Sequence, residues 1–179
     1  MCLCAIVAMM ATSCLNTDDT WKQYEGWRNA NATWLQEQLA KKNSDGSAYY
    51  KEYTASWDSQ AKVYVHFFND TNLTRSKLSP LFTSTVDVKY IGRLYDNQAF
   101  DSSYLRTSPA DSIFRTKLGS VITGWTIAIQ NMHIGDTCEV LIPYAQAYKN
   151  ASSGSYIKPY SNLKFNLKLV GIPGYEIKP

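Results

Sequence analysis

The chain has 179 residues, 45% of them hydrophobic and 18% charged, with nine glycines and six prolines. That size fits one ordinary domain with a short appendage, and the composition excludes disordered and collagen-like chains. The net charge is only +3 and the lysines are scattered singly, so the basic stripe that binds nucleic acid is missing and nucleic acid is excluded as a partner.

Residues 1 to 13 (MCLCAIVAMMATS) carry no charge, and their apolar run is far short of the ~20 residues that span a bilayer. An apolar run ending in small residues reads as the core and cleavage site of a signal peptide. The basic flank expected before it is absent, which points to a start upstream of Met1 in preference to a buried helix fragment, since nothing polar gives the run an amphipathic face. Ala11-Thr12-Ser13-Cys14 resembles a bacterial lipobox, with Ala11 where leucine is usual. On that reading Cys14 is lipidated and holds the protein at a membrane; an ordinary cleavage site near Cys14 is the alternative. Residues 15 to 20 then form a polar tether. With Cys2, Cys4 and Cys14 in the targeting segment, Cys138 is left without a disulfide partner. Its place in a strand pattern makes it a buried, inert thiol.

From Trp21 to Lys42 the apolar positions Trp21, Tyr24, Trp27, Ala32, Trp34, Leu35 and Leu39 recur at helical spacing. One amphipathic helix is predicted, with Thr17 or Asp18 as cap and a stop at residues 43 to 46. It is expected to pack on the domain that follows. Beyond Gly46 the period becomes two. Residues 62 to 68 alternate; Val86, Val88, Tyr90 and Leu94 share one face against Asp87, Lys89, Ile91 and Arg93; Leu163, Phe165, Leu167 and Leu169 alternate with polar residues. Residues 69 to 80 form a polar loop between strands. One internal segment returns to the helical period: Val121, Ile122, Trp125, Ala128, Ile129 and Met132, with Ser120 as N-cap and a close before Gly135. An α+β domain follows, an antiparallel sheet covered by one short helix. The chain divides into a signal peptide at 1 to 13, a lipidated tether with its helix at 14 to 46, and a sheet domain at 47 to 179.

The usual reactive constellations are missing. There is no Gly-x-Ser-x-Gly elbow, no phosphate-binding glycine loop, no His-Glu-x-x-His, and neither His66 nor His133 has a cysteine or acidic partner at metal-ligand spacing. The sequence offers instead an ordered series of aromatic and aliphatic residues, which suggests an apolar pocket.

That series carries a family resemblance. Val88-Lys89-Tyr90-Ile91-Gly92, Phe100-Asp101-Ser102-Ser103, Leu118-Gly119, Val121-Ile122-Thr123-Gly124-Trp125, Met132 with Gly135, Ile142-Pro143, Ala147-Tyr148 and Leu163-Lys164-Phe165 occur in order from about Thr85 to Ile172. The set resembles the FKBP-type peptidyl-prolyl cis-trans isomerases. The resemblance implies a twisted antiparallel sheet wrapped around the short helix, with the pocket between them. Trp125 would be its floor, Tyr90, Phe100, Phe114 and Phe165 its walls, and Val121, Ile122 and Ile157 its rim. Asp101 and Tyr148 would be the polar groups, and the Ile122 N–H would meet a substrate carbonyl. Arg106 would be a basic support for Asp101. It further implies proline-containing polypeptides as substrates, macrolide inhibitors as ligands, and no metal or cofactor. Lys149 stands where the family usually has glycine, so the turn there is expected to be reshaped, and Tyr156-Ile157-Lys158-Pro159 replaces a more apolar stretch, so affinity is expected to be lower.

The residues suit that reaction. Rotation about a peptide bond faces a barrier of ~18–20 kcal/mol because resonance holds the amide flat. A dry aromatic pocket favours the twisted, less polar amide over the flat, better-hydrated one. The expectation is an isomerase anchored in a bacterial cell envelope that assists the folding of exported proteins. Two other readings stand beside it: a non-catalytic binding module or holdase on the same fold, and a structural lipoprotein that dimerises through its amino-terminal helix.

Overall fold

The computed structural model describes residues 16–174. Residues 1–15, on which the expected signal peptide and Cys14 fall, and the last five residues lie outside the described residues. Among the described residues no helix is long and apolar enough to cross a membrane.

The predicted amino-terminal helix is two helices, α1 (Asn16–Gln23) and α2 (Glu25–Leu39). Thr17 and Asp18, expected as its cap, therefore fall within the span of α1. The backbone leaves helical geometry at Tyr24 (φ −100°, ψ 19°), although bonds on either side persist: Tyr24 N–H donates to Thr20 O at 3.2 Å and Arg28 N–H to Tyr24 O at 2.8 Å. The helix does pack on the domain, but its apolar residues are exposed or half-buried, and its one buried residue is Asn31.

Asn31 explains the docking. Its Oδ1 accepts from Asn162 N–H at 2.8 Å, and its backbone carbonyl accepts from Asn162 Nδ2 at 2.9 Å. Asn162 Oδ1 in turn accepts from Tyr144 N–H at 2.8 Å. One turn earlier, Trp27 Nε1 donates to Ser161 Oγ at 3.0 Å, and Lys158 lies over the Trp27 ring. The helix thus holds both ends of the segment between Tyr144 and Asn162.

The sheet has seven strands: β1 (Lys51–Ala55), β2 (Asp58–Phe67), β3 (Thr85–Arg93), β4 (Ala99–Ser102), β5 (Phe114–Lys117), β6 (Thr137–Ile142) and β7 (Leu163–Gly171). Their order is β1-β2-β6-β7-β3-β4, with β5 also paired to β3, and every pairing is antiparallel. Strands β3 and β7 follow the predicted alternation: Val86, Val88 and Tyr90 face inward beside Leu163, Phe165, Leu167 and Leu169. Leu94 falls just past β3 but remains buried. Cys138 lies on β6, fully buried, and desolvation pushes its thiol well above the usual range, so it is unreactive.

The sheet curls around α3 (Thr123–Gln130), which is buried on all sides from Gly124 to Ile129. Ser120 does not cap it. It ends a 3₁₀ turn, Leu118–Ser120, and Ile122 takes the N-cap position without a side-chain bond. The helix approaches the sheet through Gly124, where a Cβ would come within 2.3 Å of Ile142.

The polar loop from residue 69 to 80 is fastened by Asp136, a fully buried carboxylate that accepts from Asn69 Nδ2, Thr74 Oγ1 and His133 N–H at 2.9, 2.5 and 2.7 Å. His133 does have an acidic neighbour, therefore, with Nδ1 3.7 Å from Asp136. Among the described residues, no group of three or more His, Cys, Asp or Glu is placed to hold a metal.

Asn31→Ala removes the acceptor of a buried N–H. Urea denaturation should show a loss of about 1–3 kcal/mol, the usual cost of an orphaned buried donor.

Candidate functional site

At the open end of α3 the sheet leaves a hollow of about 300 Å³ lined by Tyr90, Phe100, Asp101, Arg106, Phe114, Ser120, Val121, Ile122, Trp125, Tyr148 and Phe165. Nine of the ten predicted catalytic and binding residues meet there. Ile157 is the exception: it is buried and lines a neighbouring hollow of about 200 Å³, which shares Phe100, Asp101 and Tyr148 with the first.

The floor is the Trp125 indole. Tyr90 meets it edge-on at 4.9 Å, Phe165 at 5.2 Å and Phe114 at 6.2 Å. Such edge-to-face pairs contribute ~0.5–1.5 kcal/mol each beyond the area they bury. The helix places Trp125 one turn from its start, and alternation on β3 and β7 aims Tyr90 and Phe165 at it from adjacent strands. Gly92 lies opposite Phe165. A Cβ there would come within 2.6 Å of the Phe100 ring and 2.7 Å of the Phe165 ring, so these two rings can meet at 5.5 Å only over a glycine. The Trp125 Nε1–H is buried and has no hydrogen-bond partner among the described residues.

The Phe-Asp-Ser-Ser run divides its work by position. Phe100 and Asp101 on β4 reach the hollow, while Ser103 Oγ accepts from Tyr90 N–H at 2.9 Å and Ser103 N–H donates to Tyr90 O at 3.0 Å. Ser102 Oγ also donates to Tyr90 O at 3.3 Å, so the two serines hold the β3–β4 hairpin closed beside the wall they support. Tyr90 OH donates to Asp101 Oδ2 at 2.5 Å. Burial, and then this carboxylate, push the Tyr90 phenol well above its ordinary range, with Arg106 opposing them, so the phenol stays a neutral donor. The partner of Asp101 is thus Tyr90, not the expected Arg106. Arg106 instead stands over the Phe114 ring at 4.8 Å, a cation–π contact that covers one side of the hollow.

Beyond β6 the chain turns through Tyr144–Gln146 and brings Tyr148 to the hollow. Lys149 keeps the turn that glycine would make. Its φ is +58°, its N–H donates to Tyr144 O at 2.9 Å and its carbonyl accepts from Tyr160 N–H at 2.7 Å. The expectation of a reshaped backbone here is corrected: these bonds hold a lysine in the left-handed region. The following flap closes through reciprocal bonds between Ser153 and Ile157 and supplies Ser153, Gly154, Ser155 and Tyr156 to the second hollow. Ser153, Gly154 and Ser155 escaped the sequence reading because small residues in a loop carry no periodic signal; Tyr156 and Ser120 were read only as part of the altered stretch and as a helix cap.

A family model described as FKBP-type peptidyl-prolyl cis-trans isomerase matches residues 79–170, just over half of the chain. The chain is 42% identical over 96 residues to a macrophage infectivity potentiator of Trypanosoma cruzi, a match covering 54% of this chain and 47% of that protein. It is 38% identical over 90 residues to the outer membrane protein MIP of Legionella longbeachae, covering 50% of this chain and 37% of that one. Its fold is similar to the crystal structure of a peptidyl-prolyl cis-trans isomerase from Pseudomonas syringae pv. tomato, with a TM-score of 0.64 and 29% identity over 83% of this chain and 95% of that one. The chain spans about half the length, or less, of these two curated relatives.

A left-handed lysine carries strain of ~1–2 kcal/mol, and glycine adds ~0.5–1 kcal/mol of unfolded-chain entropy. Lys149→Gly should therefore stabilise the protein by roughly 0.5–1 kcal/mol in chemical denaturation.

Proposed function

The chain belongs to the FKBP-type peptidyl-prolyl cis-trans isomerases, and we propose that it catalyses rotation about Xaa-Pro bonds in the hollow over Trp125. The observation that carries this reading is the indole floor, ringed by Tyr90, Phe114 and Phe165, in a hollow whose charged lining residues, among the described residues, are Asp101 and Arg106 alone. The chemistry asks for this kind of surface. An Xaa-Pro amide populates both isomers and exchanges over tens to hundreds of seconds, because twisting it costs conjugation. No bond has to break, so the site needs neither nucleophile nor cofactor.

The prolyl ring sits on the indole, and the apolar walls strip water from the amide. Loss of conjugation makes the twisted amide less polar than the flat one, so the dry hollow destabilises the ground state more than the transition state. Each ~1.4 kcal/mol of such preference is a tenfold gain in rate. The Ile122 N–H, at the mouth of α3, and the Tyr148 phenol hold the flanking carbonyls. The helix start favours this, since amides of the first turn lack intrahelical partners. Asp101 fixes the Tyr90 phenol. Ile157 shapes the adjoining hollow, where the residue next to proline rests. A macrolide inhibitor of the family would occupy the same indole floor.

The wider reading is that the isomerase works at a bacterial envelope. It is supported by the lipobox-like Ala11-Thr12-Ser13-Cys14 and by the name of the Legionella relative, an outer membrane protein. Residues 1 to 13 would be removed as a signal peptide, Cys14 would carry the lipid, and the helices up to residue 46 would form a docked collar on the sheet domain. Proline-containing exported polypeptides would be its clients. A non-catalytic binding module would be favoured by distorted loops around the hollow, but Lys149 keeps a left-handed turn.

The purified protein should accelerate cis-to-trans isomerisation of a short Xaa-Pro peptide in a protease-coupled assay, and Asp101→Asn should lower kcat/KM by about tenfold. An unchanged peptide rate with the folded wild-type protein contradicts the reading.

A further inference from the structure

Large exposed apolar residues gather on one side of the hollow. Trp57 in the β1–β2 turn and Phe82 in the segment before β3 are each 52% exposed, Leu81 is 70% exposed, and the two rings meet at 6.2 Å. Single exposed apolar residues are ordinary, but aromatic ones clustered in contact mark an interaction surface.

The cluster is continuous with the hollow. Phe82 lies so close to Gly119 that a Cβ there would come within 2.9 Å of its ring, and Leu118 N–H donates to Ser84 O at 2.9 Å. The next residues, Ser120 and Val121, line the hollow itself. Strand β5 links the two places, with Phe114 in the hollow at one end and Lys117 leading to Leu118–Gly119 at the other. Among the described strands β5 pairs with β3 alone, which leaves its outer edge beside any extended segment that runs from hollow to cluster. That edge is a feature a polypeptide uses and a lipid does not. Arg115 on the same strand is engaged by Asp87 through two bonds of 2.7 Å, whereas an anionic membrane draws on clusters of unpaired cations.

We infer that Trp57, Leu81 and Phe82 form an accessory binding surface for the residues flanking the proline. The substrate class is non-native polypeptide with aromatic or aliphatic side chains near its prolines. This inference rests on the isomerase reading of the hollow and deepens it. A hollow of about 300 Å³ holds little more than the prolyl unit, so discrimination between a collapsed client and a polar surface turn falls to the surface beside it.

Three proteins decide it: the wild-type full chain, Trp57→Ser/Leu81→Ser, and a control, Leu73→Ser, which changes a leucine 76% exposed on another loop. Each is titrated with reduced, carboxymethylated α-lactalbumin, a permanently unfolded chain, and with phosphatidylglycerol vesicles. Each is also assayed on a short Xaa-Pro peptide. The double variant should bind the unfolded chain about tenfold more weakly, or ~1.4 kcal/mol, with kcat/KM on the short peptide unchanged. The control should match wild type in both. Equal binding by the double variant and wild type overturns the inference, as does wild-type protein that ignores the unfolded chain. Vesicle binding lost in the double variant, with polypeptide binding intact, overturns it in favour of a lipid surface. A short peptide left unaccelerated by wild type refutes the isomerase reading alone, since the titration decides the surface independently.

Discussion

The contact on which the molecule depends is that of the Trp125 indole with three rings delivered by separate strands. An indole on a helix inside a curled sheet would ordinarily be sealed into the core. Here Tyr90, Phe114 and Phe165 meet it by their edges, and one face is left to the hollow. Two glycines make this possible. Gly124 lets the helix sink against Ile142, and Gly92 lets Phe100 and Phe165 close over β3. A methyl at either position would push apart the surfaces that define the hollow.

The loops around that floor are held from outside it. The segment from Tyr144 to Asn162 carries Tyr148 and the flap, and its ends are gripped by one polar contact, Asn31 to Asn162 to Tyr144. The amino-terminal helix is therefore part of the site's support. On the opposite wall the Ser103–Tyr90 pair closes the β3–β4 hairpin, and the same tyrosine gives its phenol to Asp101. Local backbone bonds and the functional side chains are built on the same few residues. This explains how a lysine at position 149 is tolerated in a left-handed turn: backbone bonds to Tyr144 and Tyr160 fix the turn whatever side chain occupies it.

Much of the fold could be read from period alone. Strands β3 and β7 pass through the centre of the sheet, so Val86, Val88, Leu167 and Leu169 alternate cleanly. Strands β4 and β5 are four residues long, too short for a period to emerge, and only the resemblance indicated that Phe100 and Phe114 belonged to one wall. The helical period of residues 21 to 42 was real, but the docking of that helix is polar. No local pattern sets Asn31 apart, because its partner Asn162 is distant in sequence. Ile157 fell in the neighbouring hollow because the Ser153–Ile157 bridge turns the flap, a pairing that no local signal marks. Arg106 was foreseen as a neighbour of the site but not as a cover for Phe114, since sequence spacing does not fix which of two nearby partners a long cation selects.

The most direct test watches the floor itself. In a nitrogen–proton correlation spectrum the Trp125 indole N–H, buried and without a partner among the described residues, can be assigned by substitution among the five tryptophans. Titration with a short Xaa-Pro peptide should move that signal saturably while the peptide's cis and trans resonances broaden through catalysed exchange. Exchange broadening with the Trp125 signal unmoved at saturation would contradict the account, because the isomerisation would then take place somewhere other than over the indole.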